Sequence, residues 1–184
     1  MPFFHFDHEN NPPTCYSALL HLMCALLTGL AARSARSHRW YWGAVTVAFL
    51  YSSFDEVIRI HERFSVHIRP VLDTSGFFYF AWIIPYSVLV IVGLALIWPW
   101  LRSLPKRTRL GFVAAAGVFV FGAVVMEGLL GFVVEDGGIE ADWLMYSIFT
   151  TIEESLEIFG LLIYITTALR YHVEVLQTSV SFDL

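Results

Sequence analysis

Apolar stretches of bilayer length recur along this chain, and three of them carry carboxylates in their interior. The stretches run over about 14–32, 40–60, 77–100, 110–134 and 143–169. Each is close to the roughly 20 residues that an α-helix needs to cross a hydrocarbon core. Asp55 and Glu56 lie in the second, Glu127 in the fourth, and Glu153, Glu154 and Glu157 in the fifth. A carboxylate at that depth is tolerated where it meets protein, water, a cation or another polar group. The pattern therefore predicts an all-α bundle of five transmembrane helices, with its acids turned inward.

Composition agrees: 57% of the 184 residues are hydrophobic and 15% charged, too apolar for an ordinary soluble surface. The net charge of −5 is modest, and no basic patch interleaved with aromatics appears, which argues against nucleic acid as a partner. Cys15 and Cys24, nine positions apart on one helix, face opposite ways and are read as packing residues that do not bridge.

Charge between the stretches sets an expected orientation. Arg33, Arg36 and Arg39 follow the first stretch, Arg102, Lys106, Arg107 and Arg109 lie between the third and fourth, and Arg170 closes the fifth. Basic residues gather on the cytoplasmic side, so the N-terminus is expected outside and the C-terminus inside. Residues 1–13 form an extracytoplasmic segment on this reading, 14–170 the transmembrane domain and 171–184 a short cytoplasmic tail. The first stretch has no preceding Lys or Arg and is read as an uncleaved span. Trp40, Trp42, Trp98, Trp100 and Trp143 fall at span ends, where an aromatic belt is expected. Residues 65–76 are too polar to cross and are expected along the outer interface above the acids, and residues 135–142 are expected as a short acidic turn. Pro85 is expected to kink the third span.

At about 1.5 Å per residue, Asp55, Glu127, Glu153 and Glu157 come about 13, 10, 16 and 22 Å below the outer boundary, and His21 roughly 10 Å below it. Tyr146, Thr150, Glu153, Glu157, Gly160 and Tyr164 share one stripe of the fifth helix, with Glu154 beside it. Asp55, Arg59 and Glu62 share one stripe of the second; His61 points away and joins them only if that helix distorts. Six acids facing lipid would cost on the order of 15 kcal/mol. They are therefore expected to face each other, Arg59, water or a bound ion. Arg59 neutralises one; the others are either protonated or gathered around a multivalent cation.

Carboxylates with one or two imidazoles from facing helices are the ligand set of metal-binding helix bundles. The sequence-based expectation is a divalent cation (Mn, Fe, Ca or Mg) held by Asp55, Glu127, Glu153, Glu154 and Glu157, with His21 or His61 as nitrogen ligands. Glu56 is the candidate general base and Arg59 the group that orients an acid, acting on a lipid-like or membrane-soluble substrate. Two alternatives stand beside it: a cation or proton conductor that uses the same acids and, as a thin-walled bundle, works as a homo-oligomer; and an accessory or scaffolding subunit in which the polar groups only pin the helices.

The run Asp55-Glu56-x4-His61-Glu62, followed by Glu127 in a Gly-rich helix and then Glu153-Glu154-x-x-Glu157, resembles uncharacterised multi-pass bacterial membrane proteins over about residues 40–172. The resemblance implies a bacterial inner-membrane location and transfers no activity.

Overall fold

The computed structural model describes residues 12–35, 37–141 and 143–176. Most of the segment 1–13, the end of the expected tail from 177, Arg36 and Asp142 lie outside the described residues. The rest is all-helical, with no strand among the described residues. The elements are α1 (Pro12–Ser34), α2 (Arg39–Ile58), α3 (Ile60–Leu72), a 3-10 turn (Gly76–Phe78), α4 (Ile83–Ser103), α5 (Lys106–Val120), a π-turn (Phe121–Met126), α6 (Glu127–Ala141) and α7 (Trp143–Glu174). Because α5, the π-turn and α6 follow without a break, they form one rod.

Three helical segments are long and apolar enough to cross a membrane: Pro13–Ser34, Ile83–Ser103 and Lys106–Glu135. The 20-residue α2 and the 32-residue α7 have the length. The acids and polar residues they carry keep them below the apolarity of the other three. The expected acidic turn at 135–142 is instead helix as far as Ala141. The third stretch also begins later than its hydrophobicity indicates, since residues 77–82 form turns ahead of α4. Pro85 consequently falls in the first turn of α4, where an amide has no intrahelical acceptor to lose, and it has no helix interior to kink.

Helices α1 and α2 pack side by side, α7 lies against both α1 and the rod, and α4 makes few contacts along its length. Polar groups latch the first pair: Ser53 Oγ donates to the Ala18 carbonyl at 2.9 Å and Thr46 Oγ1 to Thr28 Oγ1 at 3.0 Å. The core lies at one end of the bundle. There Trp42 and Trp100 meet edge to face at 4.8 Å between ring centroids, with Phe112 and Tyr171 around Trp42. This corrects the expected aromatic belt, since both rings are only 2% exposed, whereas Trp40, Trp98 and Trp143 remain at the surface. Edge-to-face packing of such rings contributes beyond the area it buries.

Small residues seat α7 on the rod. An added Cβ on Gly160 would stand 2.8 Å from Phe119 Cβ and 3.0 Å from the Ala115 carbonyl oxygen, and one on Gly122 would stand 3.0 Å from the Glu153 carbonyl oxygen. Gly122 on the rod and Gly160 on α7 thus lie in a tight helix–helix packing surface, as close helix approach requires. Gly160→Ala should lower thermal stability in detergent by about 1–3 kcal/mol through overpacking. Gly117→Ala, with open space around the new methyl, should be neutral or raise it by up to about 1 kcal/mol. Equal melting temperatures for the two variants would contradict this packing.

Candidate functional site

The chain breaks where α2 ends. Arg59 takes a left-handed conformation (φ 58°, ψ 48°) without being glycine, and α3 starts at once behind it. The conformation costs about 1–2 kcal/mol for an L-residue, and Asp55 supplies the compensation. Its carbonyl accepts the Arg59 N–H at 2.6 Å, closing α2. Its carboxylate accepts the His61 N–H at 3.0 Å, doing for α3 what an N-cap side chain does. The second carboxylate oxygen lies 2.8 Å from His61 Nδ1. The break turns His61 back onto Asp55, the distortion that an ideal helix lacks. With Nδ1 held by Asp55, Nε2 is the ring nitrogen left for other chemistry. Arg59 consequently leaves the stripe it would share with Asp55 and pairs with Glu62.

Beyond the break α3 is amphipathic and contributes one wall of the cavity. The expected interfacial segment 65–76 begins inside α3 and runs to the 3-10 turn, and Glu62, Arg63, Val66 and Arg69 of α3 line the cavity. Arg69 stacks over the Tyr79 ring at 3.6 Å, tying α3 to the segment before α4.

That cavity, about 1630 Å³, brings together the acids of four elements. Asp55 and Glu56 come from the end of α2, Glu62 from α3, Glu127 from the start of α6, and Glu153, Glu154 and Glu157 from α7. His61 and His21 also line it. Asp55 and Glu127 are buried, and the three α7 acids are half-buried. His21 is 2% exposed; its Nδ1 donates to the Ser17 carbonyl at 3.0 Å and its ring meets Phe119 edge-on. Along α7, Tyr146 and Thr150 continue the polar wall, while Gly160 and Tyr164 pass into the core. The π-turn sits immediately before Glu127, and its wider turn re-aims the side chains that follow it.

The family comparison matches a model described as a domain of unknown function, DUF8692, to residues 1–171. The chain belongs to this family. No curated protein and no solved structure matches it.

Among the described residues no three His, Cys, Asp or Glu side chains are arranged to hold a metal ion. The expected ligands Asp55, Glu127, Glu153, Glu154, Glu157, His21 and His61 share a cavity without closing on one point. Aromatic residues absent from the sequence-based site complete the wall. Trp82 Nε1 donates to Glu127 Oε1 at 2.8 Å, and its ring meets those of His61 and Tyr86 at 5.0 and 5.1 Å between centroids. The Tyr51 and Tyr86 hydroxyls lie 2.6 Å apart. An indole three residues ahead of Pro85, away from any expected span end, was the available sign of Trp82's role. Trp82→Phe leaves the Glu127 oxygen buried without that donor and should lower stability by about 1–3 kcal/mol. Glu127→Gln keeps an acceptor for the indole and should cost less. The reverse order in thermal melts would contradict the pairing.

Proposed function

We propose that this chain is a multi-pass membrane protein of the cell membrane that holds a cation in its acid-lined cavity. The observation that carries the reading is the shared cavity itself: carboxylates from α2, α3, α6 and α7 line one space. Nine carboxyl groups line it against three guanidinium groups, and two of the three, Arg59 and Arg69, already have partners in Glu62 and the Tyr79 ring. A cluster of one sign in low-dielectric walls concentrates counter-ions. In this reading α2 and α7 cross the membrane beside the three more apolar segments. Their acids face the cavity, which gives five spans with the N-terminus outside.

A divalent ion (Mn, Fe, Ca or Mg) would draw the α7 acids and Glu127 inward. With such an ion, Glu56 would serve as general base and Arg59, through its pair with Glu62, would position that carboxylate. The substrate would be lipid-like or membrane-soluble, reaching the cavity from the side.

One observation favours a second reading, transit of cations or protons through the same acids: the carboxylates are spread along the wall without converging. Weak, multiple sites suit passage better than chelation.

Purified protein dialysed against each of the four metals and analysed by elemental mass spectrometry is expected to retain metal saturably. The double variant Glu153→Gln/Glu157→Gln should lose at least tenfold in affinity. Folded protein that takes up none of the four ions would contradict the divalent-ion form of the reading. Vesicles made leaky to protons or cations by the native chain, and tight with Glu127→Gln, would favour transit.

A further inference from the structure

The cavity is more than a set of acids, and its second half has no role in holding an inorganic ion. Helices α2 and α4 run antiparallel. Trp42 meets Trp100 near one end of α4, and Tyr51 meets Tyr86 near the other. Between these two contacts the helices stand apart. Ala44, Val47 and Ala48 line the cavity from α2, and Leu89, Gly93 and Leu94 from α4. A Cβ added to Gly93 would meet nothing within 4 Å. The result is an apolar slot about 12 Å long from Tyr86 to Leu94, at 1.5 Å of rise per residue. The Tyr51–Tyr86 hydroxyl pair stands at its Tyr86 end, and His61, Asp55 and the other acids line the same cavity beyond it; Val47, Leu89 and Leu94 are exposed, so the slot is open along its outer side.

We infer that the cavity binds an amphiphile with a cationic nitrogen headgroup, its apolar chain in the α2–α4 slot and its head among the carboxylates. The inference rests on the cation-binding reading of the same cavity and names the ligand class. Three observations carry it. The volume of about 1630 Å³ exceeds the 300–1,000 Å³ usual for small-molecule sites; it is far too large for a bare ion and large enough for a head with a chain. The carboxylates do not converge on a point, which suits a broad, diffuse cation better than a small hard one. Rings of Trp82 and Tyr86 stand beside the acids, and aromatic faces attract alkylated ammonium groups. Charge settles the sign of the head: nine carboxyl groups against three guanidinium groups disfavour an anionic one. The chain belongs in the slot because its walls are aliphatic and α4 offers them little else to pack on.

The test is calorimetric titration of the native protein in nanodiscs of zwitterionic lipid, with heats into empty nanodiscs subtracted. The probes are octyltrimethylammonium, octanol, octyl sulfonate, tetramethylammonium and manganese chloride. Octyltrimethylammonium is expected to bind at least tenfold more tightly than octanol or octyl sulfonate, and at least tenfold more tightly than tetramethylammonium. Gly93→Leu, which fills the slot, should abolish the advantage over tetramethylammonium. Glu127→Gln/Glu153→Gln should abolish the advantage over octanol. Octanol binding as tightly as the ammonium amphiphile, or tetramethylammonium doing so, would overturn the inference without any variant. Saturable manganese binding with no preference for the ammonium amphiphile would overturn it while leaving the cation reading intact, and folded protein that binds none of the cations would overturn both.

Discussion

Carboxylates in apolar helices govern this fold. In the proposed membrane setting each charge left against lipid would cost about 2.5–3.5 kcal/mol near the bilayer centre, which favours grouping helices that carry several acids around a common polar space. The chain meets that demand with acids of α2, α3, α6 and α7 lining one cavity. Once that arrangement is set, other features follow as supports. Gly122 and Gly160 let α7 approach the rod closely enough to present Glu153, Glu154 and Glu157. The π-turn delivers Glu127 to Trp82.

Asp55 links local geometry to the site. With one carbonyl and two carboxylate oxygens it closes α2, opens α3 and holds the His61 ring. A left-handed arginine between two helices is sustained by these contacts, and the same contacts make His61 a member of the cavity. Structure and chemistry at this junction cannot be separated: loss of the Asp55 carboxylate removes the cap and the imidazole's partner together.

Much of this could be read from residue order. Apolar length placed α1 and α2 to within two residues at each end and the start of α7, but ended the rod seven residues early and α7 five residues early; His21 and the acids of α2, α6 and α7, expected at overlapping depths, line one cavity. Helical periodicity failed at Arg59, because nothing in the run Val57-Ile58-Arg59-Ile60 signals a break; the cause lies in the side chain of Asp55, four residues back. It also failed at α4, where the aromatic run Phe77–Phe80 is as hydrophobic as a span but forms a turn that packs on α6 through Gly128 and Gly131. Trp42 and Trp100 look like belt residues in sequence and are core in the fold, since position at a helix end does not say which way a ring points. The slot between α2 and α4 had no sequence sign at all, because it depends on how two helices diverge.

In the proposed arrangement α7 crosses the membrane, its acids facing a water-reachable cavity and its opposite side facing lipid. Cysteine reactivity in liposomes tests it most directly. In a background with Cys15 and Cys24 changed to serine, single cysteines replace Glu154, Glu157, Ile152 and Phe159, and each is exposed to a cationic methanethiosulfonate and its anionic counterpart. The account predicts rapid modification at 154 and 157, faster with the cationic reagent, and protection at 152 and 159. Equal reactivity at all four positions, or protection at 154 and 157 with modification at 152 and 159, would contradict it.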